Sequence, residues 1–286
     1  MKLLFSHYSK KVFVLALLIT VAACSVKTIY NQLDYIIPSY VEGLVSLDSF
    51  LEEKVEQRTL VLINWHRNTQ LHQYAEWLRS VQRDANNVIT EEKILQHIAT
   101  LDKFWKSLSS KLNQEMVKLL PLLNTEQRNE LFSSVEDKND EFREDYVDVK
   151  NKERVQQYTD RIKDSFETWL GDLTDEQEYA IKIAAAKMQA PAALRLERRK
   201  IWQKSIKRII DNEDSGGQKE ASLSQFFEKF NSEDSHALDA IDKINRKILA
   251  QLTVQIINSM GKDQKVHFIT TTDDYIRIFT ELVEKR

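Results

Sequence analysis

The amino-acid sequence predicts an all-α protein, an elongated multi-helix bundle of long antiparallel helices that follows a cleaved leader. Three observations lead there. Only 5 Gly and 3 Pro occur in 286 residues, too few turn-makers for a sandwich or barrel, which needs a turn about every ten residues. Apolar residues recur three or four apart through most of the chain, the period of a helix face. No segment alternates apolar and polar residues with period two for long enough to require a sheet. At 42% apolar and 30% charged, the composition is that of an ordinary folded protein, and a single Cys forbids an internal disulfide.

The first element is an address. Met1-Lys2 and Lys10-Lys11 supply positive charge, Val12–Thr20 an apolar run, and Val21-Ala22-Ala23 a tail of small residues directly before Cys24. This is the pattern of a secretion signal, residues 1–23. The run Val12–Ala23 falls short of the about 20 residues that a membrane-spanning helix needs. A cysteine straight after Val-Ala-Ala resembles the bacterial lipobox, which implies a diacylglyceryl group on the Cys24 thiol, cleavage before it and acylation of the new amine. Two or three acyl chains, at about 0.8 kcal/mol per buried methylene, hold a protein where one binds only marginally. Membrane lipid, through Cys24, is therefore the first expected partner. Ser25 stands where an Asp commonly retains lipoproteins in the inner membrane, so the outer membrane is expected, with the body facing the periplasm. Cleavage removes Lys2, Lys10 and Lys11 and no acid, taking 41 Lys+Arg to 38 against 44 Asp+Glu, a net −6. No nucleic-acid partner is expected of an acidic, exported chain.

Residues 24–40, with Pro38, read as a lipidated tether and its docking point, and residues 41–286 as a single α-helical periplasmic domain. Leu44, Leu47, Leu51 and Val55, then Trp65, Leu71, Tyr74, Leu78 and Val81, form the first stripes; the string around Trp65 and Tyr74 is read as one long helix. Thr90 caps a second, through Ile94, Ile98, Leu101, Trp105, Leu108, Leu112, Met116 and Leu119. A third passes Leu131, Val135, Phe142, Tyr146 and Val149 and continues through Tyr158, Phe166 and Trp169 to a stop at Gly171. Tyr179 to about Asp211 follows, bent or broken at Pro191. The polar run Asp211–Ser222, with two adjacent glycines, reads as a flexible loop. A short segment Ser222–Phe230 and a helix from Leu238 to Gly261 complete the reading. Phe104, Trp105, Phe166 and Trp169 are assigned to the core.

Two helix starts share a motif. Leu173-Thr174-Asp175-Glu176-Gln177 reads Leu-Thr-x-x-Gln, and Leu123-Asn124-Thr125-Glu126-Gln127 matches it with Asn for Thr. Each is a capping box: the Thr174 or Asn124 oxygen takes a first-turn N–H while Gln177 or Gln127 reaches back. A weaker copy, Met260-Gly261-Lys262-Asp263-Gln264, lacks the capping side chain. The repetition resembles the LTxxQ periplasmic stress proteins, which implies cradle-like client binding. Over nearly the whole mature chain the sequence resembles an uncharacterised family of proteobacterial lipoproteins, a domain of unknown function. Its landmarks are Tyr30-Asn31-Gln32-Leu33-Asp34, Trp65-His66-Arg67 with Tyr74-Ala75, Glu141-Phe142-Arg143-Glu144, Arg161 with Trp169-Leu170-Gly171, the basic Arg195–Arg199 stretch and the Gln264 helix start. Asn124 and Gly261 depart from its pattern, and the resemblance implies no activity.

Two constellations could carry binding or chemistry. Trp65-His66-Arg67 joins a proton-exchanging imidazole to a guanidinium that grips anions. Yet no nucleophile elbow, His-Glu-x-x-His or P-loop occurs, and His66 and His72, six apart, fall on different helix faces, so neither a catalytic nor a metal site is assigned. The expected role of Trp65-His66-Arg67 is structural: a buried Trp65, Arg67 paired with an acid of a neighbouring helix, and His66 partly exposed or hydrogen-bonded. Arg195, Arg198, Arg199, Lys200, Lys204, Lys207 and Arg208 surround one acid, Glu197. They could meet an anionic envelope component, or pair with Glu136, Asp137, Asp140, Glu141, Glu144 and Asp145 on the third helix. The sequence thus points to a lipoprotein without cofactor that acts as a non-catalytic binding, scaffold or chaperone-like protein with an envelope client. The alternative is an envelope hydrolase or hydrolase activator using the Trp65-His66-Arg67 region.

Overall fold

The computed structural model describes residues 23–212, 216–232 and 236–284, and the side chains of residues 23–25, 216 and 231–232 are not among those described. The leader assigned to residues 1–23 lies outside the described residues apart from the backbone of Ala23, and the same holds for the thiol of Cys24. Among the described residues all regular structure is helical. Helices α1 (Ala23–Tyr30) and α2 (Leu33–Glu42) lead to α3 (Ser49–Thr69) and α4 (Leu71–Ala85). Next comes α5 (Glu91–Leu119) with a 3-10 turn, then α6 (Thr125–Phe142) with a π-helical turn, Arg143–Val147. The rest are α7 (Asn151–Leu170), α8 (Asp175–Lys187), α9 (Ala192–Asp211), α10 (Gly216–Ser232), α11 (His236–Asn258) and α12 (Lys262–Glu284). The protein is an elongated multi-helix bundle.

Starts follow the caps that the sequence carries. Asp48 accepts from Leu51 N at 2.9 Å and Thr90 from Lys93 N at 3.3 Å, each satisfying an orphan donor of a first turn. Gly171 ends α7 at φ 73° and ψ −147°, a backbone conformation open essentially to glycine alone.

Four expectations are corrected. The helix read through Trp65 and Tyr74 breaks at Gln70. There Thr69 Oγ1 donates to Trp65 O at 2.7 Å and Gln73 Nε2 to Thr69 O at 2.5 Å. The third helix likewise stops. After the π turn the chain leaves helical geometry at Asp148–Lys150 and restarts at Asn151. The loop read at 211–222 is shorter, because α10 begins at Gly216 and Lys219 Nζ caps α9 by donating to Ile210 O at 2.9 Å. Finally, the stretch read as a tether is itself two helices.

Apolar burial is distributed over several clusters rather than one centre. The first joins Val26 and Tyr30 of α1 to Ile63, Leu71, Tyr74 and Leu78, Phe104 of α5, and Tyr275, Ile278, Phe279 and Leu282 of α12. A second gathers the start of α3, the end of α5, and α9 with α10 around Leu51, Val117, Ile210 and Leu223. A third packs α8, α11 and the start of α12 around Ile181, Ile256 and Phe268. Helix α12 lies along α4 and also meets α1, so the two ends of the described chain close on each other.

Candidate functional site

Helix α1 connects Cys24 to the body. Val26 is 1% exposed and Tyr30 2%, both inside the first cluster, and Lys27 pairs with Glu281 of α12. Next to them the break at Gln70 sets α4 against α3, bringing Tyr74 to the far side of the His66 ring from Tyr30. The Tyr30 hydroxyl lies 3.0 Å from His66 Nδ1 and the Tyr74 hydroxyl 3.3 Å from Nε2. In a neutral ring one nitrogen accepts from one hydroxyl and the other donates to the second. Burial pushes the imidazole down to about 4, so this neutral form is the one present near neutrality. Burial also pushes the Tyr30 phenol up to about 12, and Tyr74 higher still, with the Tyr30 charge adding to the rise. Arg67 stands 5.7 Å over the Tyr30 ring and hydrogen-bonds its hydroxyl. Trp65 is half-buried beside them, where full burial was expected. The Trp65-His66-Arg67 string is therefore built into a joint of α1, α3 and α4, with both imidazole nitrogens engaged. His72 is exposed on another face.

The basic stretch also faces its neighbours. Arg195 pairs with Asp242 of α11, while Arg198 lies 4.7 Å over the Phe230 ring and donates to Phe230 O at 3.1 Å. Burial lowers the pKa of Arg199, and the adjacent Tyr40 and Glu136 act in the opposite direction. Of the acids expected to meet this stretch, Glu136 does, at 2.7 Å from Lys200. Asp140 and Glu141 instead pair along α6, with Arg143 and Lys138. Between the π turn and α9 runs an open groove of about 430 Å³, lined by Val147, Leu196 and Ile201 with Arg143, Lys200 and Lys204.

The motif glutamines do more than cap. Gln127 and Asn124 form the expected box, and Gln127 Nε2 donates onward to Ser46 O and to Asp48 Oδ2, both at 3.1 Å. Thr174 and Gln177 form the second box. Gln177 Nε2 donates to Gln264 Oε1 at 3.1 Å, and Gln264 Nε2 to Gln177 Oε1 at 2.8 Å, a reciprocal amide pair inside the protein. Ser259 Oγ and Asp172 O take the remaining amide hydrogens, and Thr174 N and Gly261 N donate to the two oxygens. The third copy, lacking its capping side chain, thus contributes its glutamine in full. Sequence reasoning missed this pairing, as well as Tyr30 and Tyr74 as the partners of His66. The glutamine at one register of three helix starts was the signal present.

A family model, described as a family of unknown function (DUF6279), matches residues 44–236. The chain belongs to this family. The match takes in α3 to α10, with His66, Tyr74 and the basic stretch, whereas α1 with Tyr30, α2, α11 beyond His236, α12 and the Gln264 start lie outside it. No curated protein and no solved structure matches the chain.

Proposed function

We propose that this member of DUF6279 is a proteobacterial lipoprotein, anchored in the outer membrane through acylated Cys24 and facing the periplasm, where it serves as a non-catalytic binding or scaffold protein of chaperone-like kind. The observation that carries the reading is the junction at Cys24. A positively started apolar leader ends in Val-Ala-Ala-Cys, and two residues further along the same helix Val26 is buried in the core. The binding half rests on how the chemistry-bearing residues are used. His66, Arg195 and Arg198 hold helices together, which gives them the work of a rigid body. An envelope protein client, or an anionic component at the Arg143–Lys204 groove, is the partner class that such a body would meet.

Labelling with radioactive palmitate is expected to mark the wild type and not Cys24→Ala, and fractionation to place the labelled chain with the outer membrane. An unmarked chain, or one found in the cytosol with its leader intact, removes the anchor from this account. For the binding half, purified mature protein is expected to suppress aggregation of an unfolded client, or to crosslink to an envelope protein in intact cells. Failure in both assays removes it.

A further inference from the structure

The structure leaves no slack between the anchor and the body. Val26, two residues beyond Cys24, is 1% exposed in the first cluster, so the acyl-bearing residue lies within about 7 Å of a fixed core contact even if the intervening backbone is extended. A flexible lipoprotein linker lets a domain drift far from the bilayer. Here the α1 end of the body has to lie against it.

The surface at that end has the chemistry for such a seat. Helix α2 begins three residues after the last core contact of α1, and Ser39 is no more than about 29 Å from Cys24 by the summed rise of two helices and their link. Its exposed side chains include Tyr35, Ile36 and Tyr40, exposed by 75%, 38% and 49%, the last beside Arg199 of α9, with Gln32, Ser39 and Gly43 between them and the acids Asp34 and Glu42 at the two ends. None of the α2 side chains is fully buried. In a chain that is 30% charged, this is a helix face free of lysine and arginine. Tyrosine, apolar in its ring and polar at its tip, settles at the headgroup level of a bilayer, and an amphipathic helix lies in that plane.

We infer that the outward face of α2, formed by Tyr35, Ile36 and Tyr40, rests in the headgroup region of the phospholipid bilayer that holds Cys24, making a second membrane contact that fixes the orientation of the body. The inference rests on the lipidation proposed above. Because α2 itself carries no Lys or Arg, zwitterionic lipid suffices.

The test uses the full mature lipoprotein reconstituted in phosphatidylcholine vesicles. Acylation consumes the Cys24 thiol, so Ser39→Cys supplies a unique nitroxide site on the face, with Glu92→Cys on α5 as the distant control. The expected result is a several-fold lower collision rate of a water-soluble relaxant at position 39 than at 92, together with raised access to oxygen. Adding Tyr35→Ser and Ile36→Ser should restore aqueous access at 39 while leaving thermal unfolding unchanged. Equal aqueous access at 39 and 92 in a chain whose N-terminal peptide carries lipid by mass overturns the seat alone. A peptide without lipid and a chain free of vesicles overturns seat and anchor together. A peptide without lipid whose position 39 is still shielded by vesicles supports the seat and removes the anchor. Shielding of position 39 without any lipid present identifies a second copy of the chain as the occupant and overturns the seat.

Discussion

His66 is the residue whose surroundings make the sharpest statement about solution behaviour. In the unfolded chain its pKa is the ordinary 6.5, and in the folded protein burial holds it at about 4. Between these values the unfolded chain binds more protons, so the stability present above pH 6.5 is lost as the pH falls through 4. Urea unfolding is expected to give about 2–3 kcal/mol less stability at pH 4.5 than at pH 7.5 from this group. His66→Gln keeps a donor and an acceptor between Tyr30 and Tyr74 but cannot titrate, so it should flatten this part of the pH dependence; an unchanged slope would assign the loss to other groups. Gly171 makes a second residue-scale prediction. At φ 73° an added Cβ would also meet the His267 ring at 3.4 Å, so Gly171→Ala should cost about 1–3 kcal/mol by thermal unfolding. Gly217, with nothing within 4 Å of an added Cβ, is the matched control.

At the scale of elements, the starts of α8 and α12 are tied by one amide pair. Gln177→Leu or Gln264→Leu leaves the partner carboxamide buried with the two bonds of the pair unmade, at a cost of about 1–3 kcal/mol each. The double variant is expected to fall short of their sum by about 1 kcal/mol in a double-mutant cycle, the signature of direct contact. Additivity would mean that the two helix starts are held independently. How much of this was legible follows from the same residues. The caps Asn124, Thr174 and Thr90 and the stop at Gly171 are local, and the sequence states them directly. The helical period carried through Gln70 and across Arg143–Val147 because a break of a single residue, or one π turn, leaves the apolar spacing nearly intact. Gly216 and Gly217 read as a loop because glycine costs helix stability, yet they open α10. The partners of Gln264 and His66 lay out of reach for a further reason: they come from contacts as distant as 92 residues, which periodicity does not encode.

Over the whole molecule, the last helix completes what the first begins. Ile278, Phe279 and Leu282 of α12 cover Val26, Tyr30 and Tyr74, and Gln82 of α4 reaches Thr272 at 2.5 Å across 190 residues of sequence. Burying each of those three apolar side chains is worth about 1.5–3 kcal/mol, together comparable to the whole net stability of a domain, about 5–15 kcal/mol. A chain ending at Gly261 should therefore lose its cooperative unfolding transition and become protease-sensitive within α1 and α4, as limited proteolysis with mass spectrometry would show. Protection of α1 in the shortened chain would contradict this. The ring closure between α1 and α12 also sets an order of events for an exported chain. Were the chain exported as proposed, translocation would deliver the N-terminal segment before residues 262–284, leaving the faces of α1 and α4 that α12 covers open during passage. Maturation would then finish only after α12 has crossed, and on the proposed anchoring the cysteine would be fastened to lipid while the body still waits for its closing strap.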